Sequence, residues 1–135
     1  MLSVNNSSIV SRPSPIVLIV DDNETNRKLC RLLLQKNGFE TIEAEDGATG
    51  IKMAKEHLPS LILLDIQMPV MDGLAALKAL RAEPETASIP VIALTSYAMK
   101  EDKEKFLAEG FDGYISKPID KAAFIAVVLK ILRHG

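Results

Sequence analysis

The sequence predicts a single α/β domain built on a parallel sheet, because short aliphatic runs alternate with longer helix-like segments along nearly the whole chain. The aliphatic runs lack the polar alternation of half-exposed strands, which indicates strands buried on both faces. A chain of 135 residues holds one such domain and leaves no segment for a second. We therefore expect five parallel strands and five helices, joined by right-handed crossovers in a three-layer α/β/α sandwich.

The predicted elements follow this alternation in order. Residues 1–15 are rich in Ser, Asn and Pro and have no hydrophobic period, so we expect a disordered tail there and one folded domain over 16–135. After a strand near 16–20, cap-forming side chains begin a helix near Asn23 that ends before Gly38. The later elements are a strand at 40–44, a helix from 46–47 to about 57–59, a strand at 61–64, a helix from 72–73 to Pro84, a strand after Pro90, a helix from about 98 to 108 that ends at Gly110, a short strand before Lys117 and a helix at about 121–133.

The composition narrows the classes of function. The formal net charge is −2 and neither sign of charge is concentrated, which argues against a nucleic-acid partner. The single cysteine, Cys30, excludes an internal disulfide and indicates a reducing compartment, so we expect a cytoplasmic protein. No apolar run reaches membrane-spanning length, and the start of the chain lacks the order of a signal peptide, so we expect no membrane contact.

Polar side chains follow four of the predicted strands at the point where each strand ends. They are Asp21 with Asp22, then Asp65, Thr95 and Lys117. In an open parallel sheet this edge is where ligands bind. Three carboxylates close together resist ionisation unless a cation lies among them. Oxygen ligands without clustered Cys or His favour Mg²⁺.

This set of groups is suited to phosphoryl transfer. A divalent cation, the Lys117 ammonium and the Thr95 hydroxyl would stabilise a transferring phosphoryl group. No Ser, Cys or His is placed as a nucleophile, so a carboxylate takes that role, and Asp65 on the middle strand is the best candidate. Each residue also has an ordinary alternative, since the paired acids could cap a helix, Thr95 could begin one and Lys117 could be a solvated loop residue.

Four stretches of the chain resemble the receiver domains of two-component response regulators, of the stand-alone single-domain type. The resemblance extends from Ile16 to about Leu132, and its four motifs in this order and spacing are specific. It implies a flavodoxin-like, doubly wound sheet with strand order 2-1-3-4-5. The matching stretches are Val17–Asn23, Leu64–Gly73, Ile92–Thr95 and Lys117–Pro118.

The resemblance also implies roles for the acids. Asp65 would accept a phosphoryl group, in a Mg²⁺-dependent reaction, from a phosphohistidine on a histidine kinase or a histidine phosphotransfer protein. Asp22 would bind Mg²⁺ directly and Asp21 mainly through water, while Asp65 and the Gln67 backbone carbonyl complete the protein ligands. The domain would catalyse only its own phosphorylation and dephosphorylation, so we expect a signalling phosphoacceptor and not an enzyme.

The remaining implied roles concern the switch. Lys117 would pair with the aspartate and then with the phosphoryl oxygens, and its bond to Pro118 is expected to be cis. Thr95 and Tyr114 would turn inward on phosphorylation, and the changed surface would be read by a downstream partner protein. Gln67 and Tyr97 occupy positions that tune the phosphoryl lifetime. We expect a monomer or weak dimer.

One surface pattern lies outside the motifs. The apolar residues of the last predicted helix cover more than half its circumference, which is wider than a one-sided surface helix needs. On the first helix, Leu32 points away from the buried face. Because these helices are neighbours in the implied architecture, Leu32 and Leu129 are candidates for an exposed docking patch for the kinase or phosphotransfer protein. Scattered surface aliphatics are the alternative.

Three other functions remain open from the sequence. An Mg²⁺-dependent phosphatase with an aspartyl intermediate usually has an Asp-x-Asp pair, and the Asp65-Ile66-Gln67 stretch lacks the second acid. A flavodoxin-like cofactor binder should have a Ser/Thr/Gly-rich phosphate loop where this chain has acids. A pseudo-receiver that binds partners without phosphorylation is disfavoured by the intact set of acids, Thr95 and Lys117.

Overall fold

The computed structural model describes residues 14–97 and 99–134 of the chain. Strands and helices alternate strictly, as the sequence predicts. In chain order they are β1 (Ile16–Val20), α1 (Glu24–Lys36), β2 (Glu40–Ala44), α2 (Gly47–His57), β3 (Leu61–Asp65), α3 (Gly73–Ala82), β4 (Val91–Thr95), α4 (Lys100–Ala108), β5 (Gly113–Ser116) and α5 (Lys121–His134).

The five strands form one parallel sheet in the order β2-β1-β3-β4-β5. This order confirms the doubly wound arrangement, and it places β3 in the centre between β1 and β4. The crossovers place α1 and α5 on one face and α2, α3 and α4 on the other, which confirms the three-layer sandwich.

The central strands are buried on both faces, which explains their unbroken aliphatic sequence. Successive side chains point to opposite faces of the sheet, so each strand contributes to two separate cores. The core under α1 and α5 receives Val17, Ile19, Leu61, Leu63, Ile92 and Leu94. The core under α2, α3 and α4 receives Leu18, Val20, Ile62, Leu64, Val91 and Ala93.

Short polar side chains cap the helices that begin beside the strand ends. Asn23 accepts the backbone N–H of Asn26 at 2.9 Å at the start of α1. Asp46 and Asp72 cap α2 and α3 in the same way, at 2.8 and 2.9 Å. These caps satisfy amides that a helix leaves without partners, and they fix the loops that carry the functional residues.

Small differences from the predicted bounds occur at two helices. α4 begins at Lys100 instead of near residue 98, and Ala98 lies outside the described residues. α3 ends at Ala82, two residues before Pro84, because the residue that precedes a proline disfavours helical backbone. Gly110 follows the end of α4 with a φ of +110°, the left-handed conformation expected of a glycine there.

Two predictions concern the ends and the solvent environment of the chain. Most of the predicted disordered tail, residues 1–13, lies outside the described residues, so the domain boundary at residue 16 stays a prediction. Within residues 14–97 and 99–134, no helix combines the length and the apolar character that crossing a bilayer requires.

Candidate functional site

The strand ends bring the predicted polar residues to one edge of the sheet. In the strand register Val20 is opposite Leu64 and Asp65 is opposite Leu94, so β1, β3 and β4 end close together. One carboxylate oxygen from each of Asp21, Asp22 and Asp65 lies within 4.8 Å of the others. The parallel topology thus places three acids in one cluster, as the sequence pattern anticipates.

Asp65 is the last residue of β3 and is almost fully buried, with 2% of its surface exposed. Its Oδ1 accepts the backbone N–H of Gln67 at 3.1 Å and lies 3.2 Å from Lys117 Nζ. Burial raises the pKa of the Asp65 carboxyl from 3.8 to about 6, while the Gln67 N–H lowers it, Asp21 raises it and Lys117 lowers it. At neutral pH this carboxylate is ionised in an environment that disfavours its charge.

Asp21 is fully buried directly after β1. Its Oδ1 accepts the backbone N–H of Asn23 at 2.9 Å, whereas its Oδ2 has no hydrogen bond within the described part of the chain. Lys117 Nζ lies 3.3 Å from this oxygen, which is an ion-pair distance without hydrogen-bond alignment. A buried carboxylate oxygen without a hydrogen bond is costly, so this atom is suited to coordinate a cation.

Lys117 connects the two buried acids. Its burial lowers the pKa of the ammonium, but the negative charges of Asp21 and Asp65 outweigh burial, and the pKa is raised above its usual value of 10.5. The ammonium is therefore always charged at neutral pH. The Lys117–Pro118 peptide bond is cis, as the resemblance implied.

Thr95 ends β4 and is fully buried. Its hydroxyl oxygen accepts the backbone N–H of Tyr97 at 2.9 Å, and its backbone carbonyl accepts the N–H of Lys117 at 2.8 Å. Gln67 Nε2 donates to the Tyr97 hydroxyl at 3.2 Å, which joins the loop after β3 to the loop after β4. Thr95 is thus tied to both neighbouring loops of the site.

Tyr114 lies on β5 and packs against the core beneath α2, α3 and α4. The ammonium of Lys103, on α4, lies 5.0 Å from the centre of its ring, a cation–π distance. The structure therefore places Tyr114 at the junction of β5 and α4, and its predicted switch role stays a prediction.

The loop from β3 to α3 depends on Gly73. The Gly73 N–H donates to the Ile66 carbonyl at 3.0 Å, which brings the start of α3 against the end of β3. A Cβ atom on Gly73 would lie 2.6 Å from the Asp65 carbonyl oxygen and 2.7 Å from Ile66 Cα. Only glycine fits at this point of close backbone approach.

Two residues at the site, Arg27 and Glu43, were not identified from the sequence. Arg27, in the first turns of α1, donates from Nη1 to the Asp21 carbonyl at 2.7 Å, and its Nε donates to Glu43 Oε1 at 3.2 Å. The available signal was the helical spacing from the cap residue Asn23 to Arg27, since residues four apart lie on one helix face.

Comparison with known proteins identifies the family. The sequence pattern of the response regulator receiver domain matches residues 17–129. The chain belongs to this family. The polar-differentiation response regulator DivK of Brucella anthropi is 46% identical to this receiver over 116 residues, which are 86% of this chain and 94% of that protein. DivK of Brucella ovis is similar to the same extent.

Solved receiver structures have the same fold. Chemotaxis protein CheY4 of Vibrio cholerae superposes with a TM-score of 0.82 at 28% identity, over 88% of this receiver and 99% of that chain. The receiver domain of a Pseudomonas aeruginosa sensor histidine kinase gives a TM-score of 0.81 at 28% identity, over 90% and 99%. That protein has a magnesium ion coordinated in its active-site cleft. The chain accordingly belongs to a family of phosphoacceptor signalling domains that bind Mg²⁺ at an acidic pocket, and it has a cluster of three acids.

Proposed function

We propose that Asp65 is the phosphoacceptor of this receiver and takes its phosphoryl group from a phosphohistidine on a histidine kinase or a histidine phosphotransfer protein. The observation that carries the proposal is the buried Asp65 carboxylate, 3.2 Å from Lys117 Nζ inside the cluster of three acids. An Asp65 oxygen attacks phosphorus while the bond from phosphorus to the histidine nitrogen breaks. The electron pair of the broken P–N bond stays on the imidazole nitrogen, and Asp65 becomes an acyl phosphate.

The residues around Asp65 fit a Mg²⁺ ion. Oxygen ligands from Asp21, Asp22, Asp65 and the Gln67 backbone carbonyl match the preference of this hard cation. The buried Asp21 Oδ2, which has no hydrogen bond within the described residues, supports the same assignment. The ion, when bound, would neutralise the clustered negative charge and stabilise the charge of the transferring group.

Lys117 and Thr95 stabilise the product in the proposal. Lys117 already pairs with Asp65, so its flexible ammonium can follow the new phosphoryl oxygens with a small movement. The Thr95 hydroxyl oxygen accepts the Tyr97 N–H, which leaves its own O–H proton free to donate. Rotation about the Cβ–Oγ1 bond alone would aim this proton at the phosphoryl group and keep the bond to the Tyr97 N–H.

The output follows from a local change in charge. Phosphorylation adds about −1.5 to −2 charge and several acceptor oxygens at Asp65. We infer that the movement of Thr95 and Tyr114 transmits this change to α4, whose Lys103 contacts the Tyr114 ring. The reader of the new surface is a downstream partner protein. Catalysis of phosphorylation and dephosphorylation on the receiver itself, a cytoplasmic location and a monomeric or weakly dimeric state belong to the same proposal.

Incubation with Mg²⁺ and acetyl phosphate, followed by intact-mass measurement, tests the proposal. The parent should gain one phosphoryl group, and chelation of the metal should prevent the gain. Asp65→Asn should gain none. Asp72→Asn is the matched control, because Asp72 is an exposed cap in the same loop and should leave phosphorylation unchanged.

The outcome also separates the alternatives. A parent that gains no phosphate despite being folded would favour a pseudo-receiver, and sustained hydrolysis of a phosphomonoester would favour a phosphatase. Phosphorylation of Asp65→Asn to the extent of the parent would exclude Asp65 as the acceptor.

A further inference from the structure

We propose that Arg27 is a positioning residue for the cation site, which it serves by holding the peptide group that joins Asp21 and Asp22. The inference rests on the proposed function, since it assumes that these two acids bind Mg²⁺. Arg27 does not contact the acids' carboxylates in this arrangement; its contact is with the Asp21 backbone carbonyl.

Arg27 is fixed at both ends of its guanidinium group. Nη1 donates to the Asp21 carbonyl at 2.7 Å and Nε donates to Glu43 Oε1 at 3.2 Å, while only 11% of the side chain is exposed. Arg31, one turn further along α1, binds the other Glu43 oxygen at 2.6 Å. Two guanidinium groups therefore fix the Glu43 carboxylate, and Glu43 in turn fixes Arg27.

The carbonyl that Arg27 holds belongs to the peptide unit between the two acids. The Asp21 N–H donates to the Ala44 carbonyl at 3.1 Å, and its Oδ1 accepts the Asn23 N–H at 2.9 Å. The Arg27 bond is the restraint on the other side of Asp21. Because a peptide unit is planar, fixing its carbonyl direction also fixes how the Asp21 and Asp22 side chains are presented to a shared cation.

The sign of the effect separates positioning from simple electrostatics. A guanidinium near a cation site repels the cation, so loss of its charge alone would tighten Mg²⁺ binding. Loss of the restraint on the Asp21–Asp22 peptide would weaken binding instead. Changes to groups that orient metal ligands typically cost about 10- to 100-fold in affinity, which is large enough to exceed the electrostatic gain at a partly solvated site.

The chain offers a matched control in Arg31. Arg31→Ala removes the same charge from the same helix face and the same Glu43 partner, but it leaves the Arg27 bond to the Asp21 carbonyl intact. The Arg31 side chain is 31% exposed, and ion pairs of such exposure contribute little. Arg31→Ala should therefore change Mg²⁺ affinity by at most about twofold.

The deciding measurement is the dissociation constant for Mg²⁺ of the full chain without any phosphodonor, by isothermal titration calorimetry or NMR titration. Arg27→Ala should bind Mg²⁺ about 10-fold more weakly than the parent. Arg27→Lys keeps the charge and one donor for the carbonyl, so its dissociation constant for Mg²⁺ should lie between those of the parent and Arg27→Ala. At saturating Mg²⁺ the Arg27→Ala rate with acetyl phosphate should return to near the parent's rate.

Unchanged or tighter Mg²⁺ binding by Arg27→Ala would overturn the inference. So would a phosphorylation rate that stays low at saturating Mg²⁺, since that would indicate general damage to the fold. If Arg27→Ala does not fold, Arg27→Lys is the test variant, because it keeps the positive charge, and it should weaken binding. A parent that neither binds Mg²⁺ nor gains phosphate would instead overturn the proposed function.

Discussion

Gln67 donates a hydrogen bond from Nε2 to the hydroxyl of Tyr97 at 3.2 Å. Gln67 lies two residues after Asp65, and Tyr97 lies two residues after Thr95. The bond therefore bridges the loops on either side of the proposed phosphoacceptor. Because half of the Tyr97 surface is exposed, this bridge lies at the border between the site and solvent.

Opening this bridge should shorten the life of the acyl phosphate. Tyr97→Ala removes both the ring and the bond to Gln67, and a lost interaction of about 1 kcal/mol corresponds to about fivefold in rate. We expect phosphate loss about fivefold faster, measured by intact mass over time after removal of the donor. Tyr97→Phe keeps the ring, so its rate of phosphate loss should be closer to that of the parent. Loss of phosphate from Tyr97→Ala no faster than from the parent would contradict a shielding role.

Removal of the Asp65 charge should stabilise the metal-free fold. A carboxyl whose pKa rises from 3.8 to about 6 on folding costs about 3 kcal/mol more to ionise in the folded chain than in the unfolded chain. This net cost already includes the attraction of Lys117, so Asp65→Asn, which avoids it, should gain up to about 3 kcal/mol in the free energy of unfolding at neutral pH. Urea denaturation in the presence of a chelator measures it. Asp72→Asn, an exposed capping position, should change nothing, and a destabilised Asp65→Asn would refute the argument.

The thiol of Cys30 should be inert in the folded protein. Burial raises the pKa of this thiol from 9.0 to about 12, with further increases from the charges of Asp21 and Glu43. At a pH between the unfolded pKa of 9.0 and the folded pKa of about 12, the thiol has lost its proton in the unfolded chain and keeps it in the folded chain. The unfolded state then binds fewer protons, so the free energy of unfolding falls as pH rises through this range.

Two measurements check the Cys30 prediction. A thiol reagent at pH 8 should label the urea-unfolded chain quickly and the native chain only as fast as it opens. Cys30→Ala should have a shallower loss of stability on the alkaline side than the parent. Rapid labelling of the native chain would mean that the thiol is accessible.

Two exposed leucines lie on the neighbouring helices α1 and α5. Leu32 on α1 is 52% exposed and Leu129 on α5 is 36% exposed, in agreement with the sequence pattern. If the phosphohistidine partner docks there, Leu32→Glu with Leu129→Glu should slow phosphotransfer from the partner but not from acetyl phosphate. Leu107→Glu, an equally exposed position on α4, is the control. Equal slowing with both donors would exclude the patch as the docking surface.

The sequence predicted the elements well because each is encoded locally. Aliphatic runs specify the strands, and the caps Asn23, Asp46 and Asp72 specify where helices begin. The strand order is not encoded locally, because it depends on which strands pair across long connections. It followed only from the resemblance to known receivers, and the same is true of the cis bond at Lys117.

Other features of the site required tertiary structure. The acids at the strand ends could be grouped because parallel strands end at one edge of a sheet. The Arg27 bond to the Asp21 carbonyl could not be predicted from the sequence, because it depends on how a long side chain folds back over a loop. Val70, with a φ of +69°, is a β-branched residue in the left-handed region, a conformation that its residue type argues against.

Because the Gly73 backbone lies against the backbone of Asp65, this position tolerates no side chain even though it takes no part in the chemistry. A single added methyl group would have to displace either the start of α3 or the strand end that carries the acceptor. An alanine there would therefore disturb the strand end that carries Asp65, although glycine supplies no proton, charge or ligand. Surveys that search only for reactive side chains would overlook it.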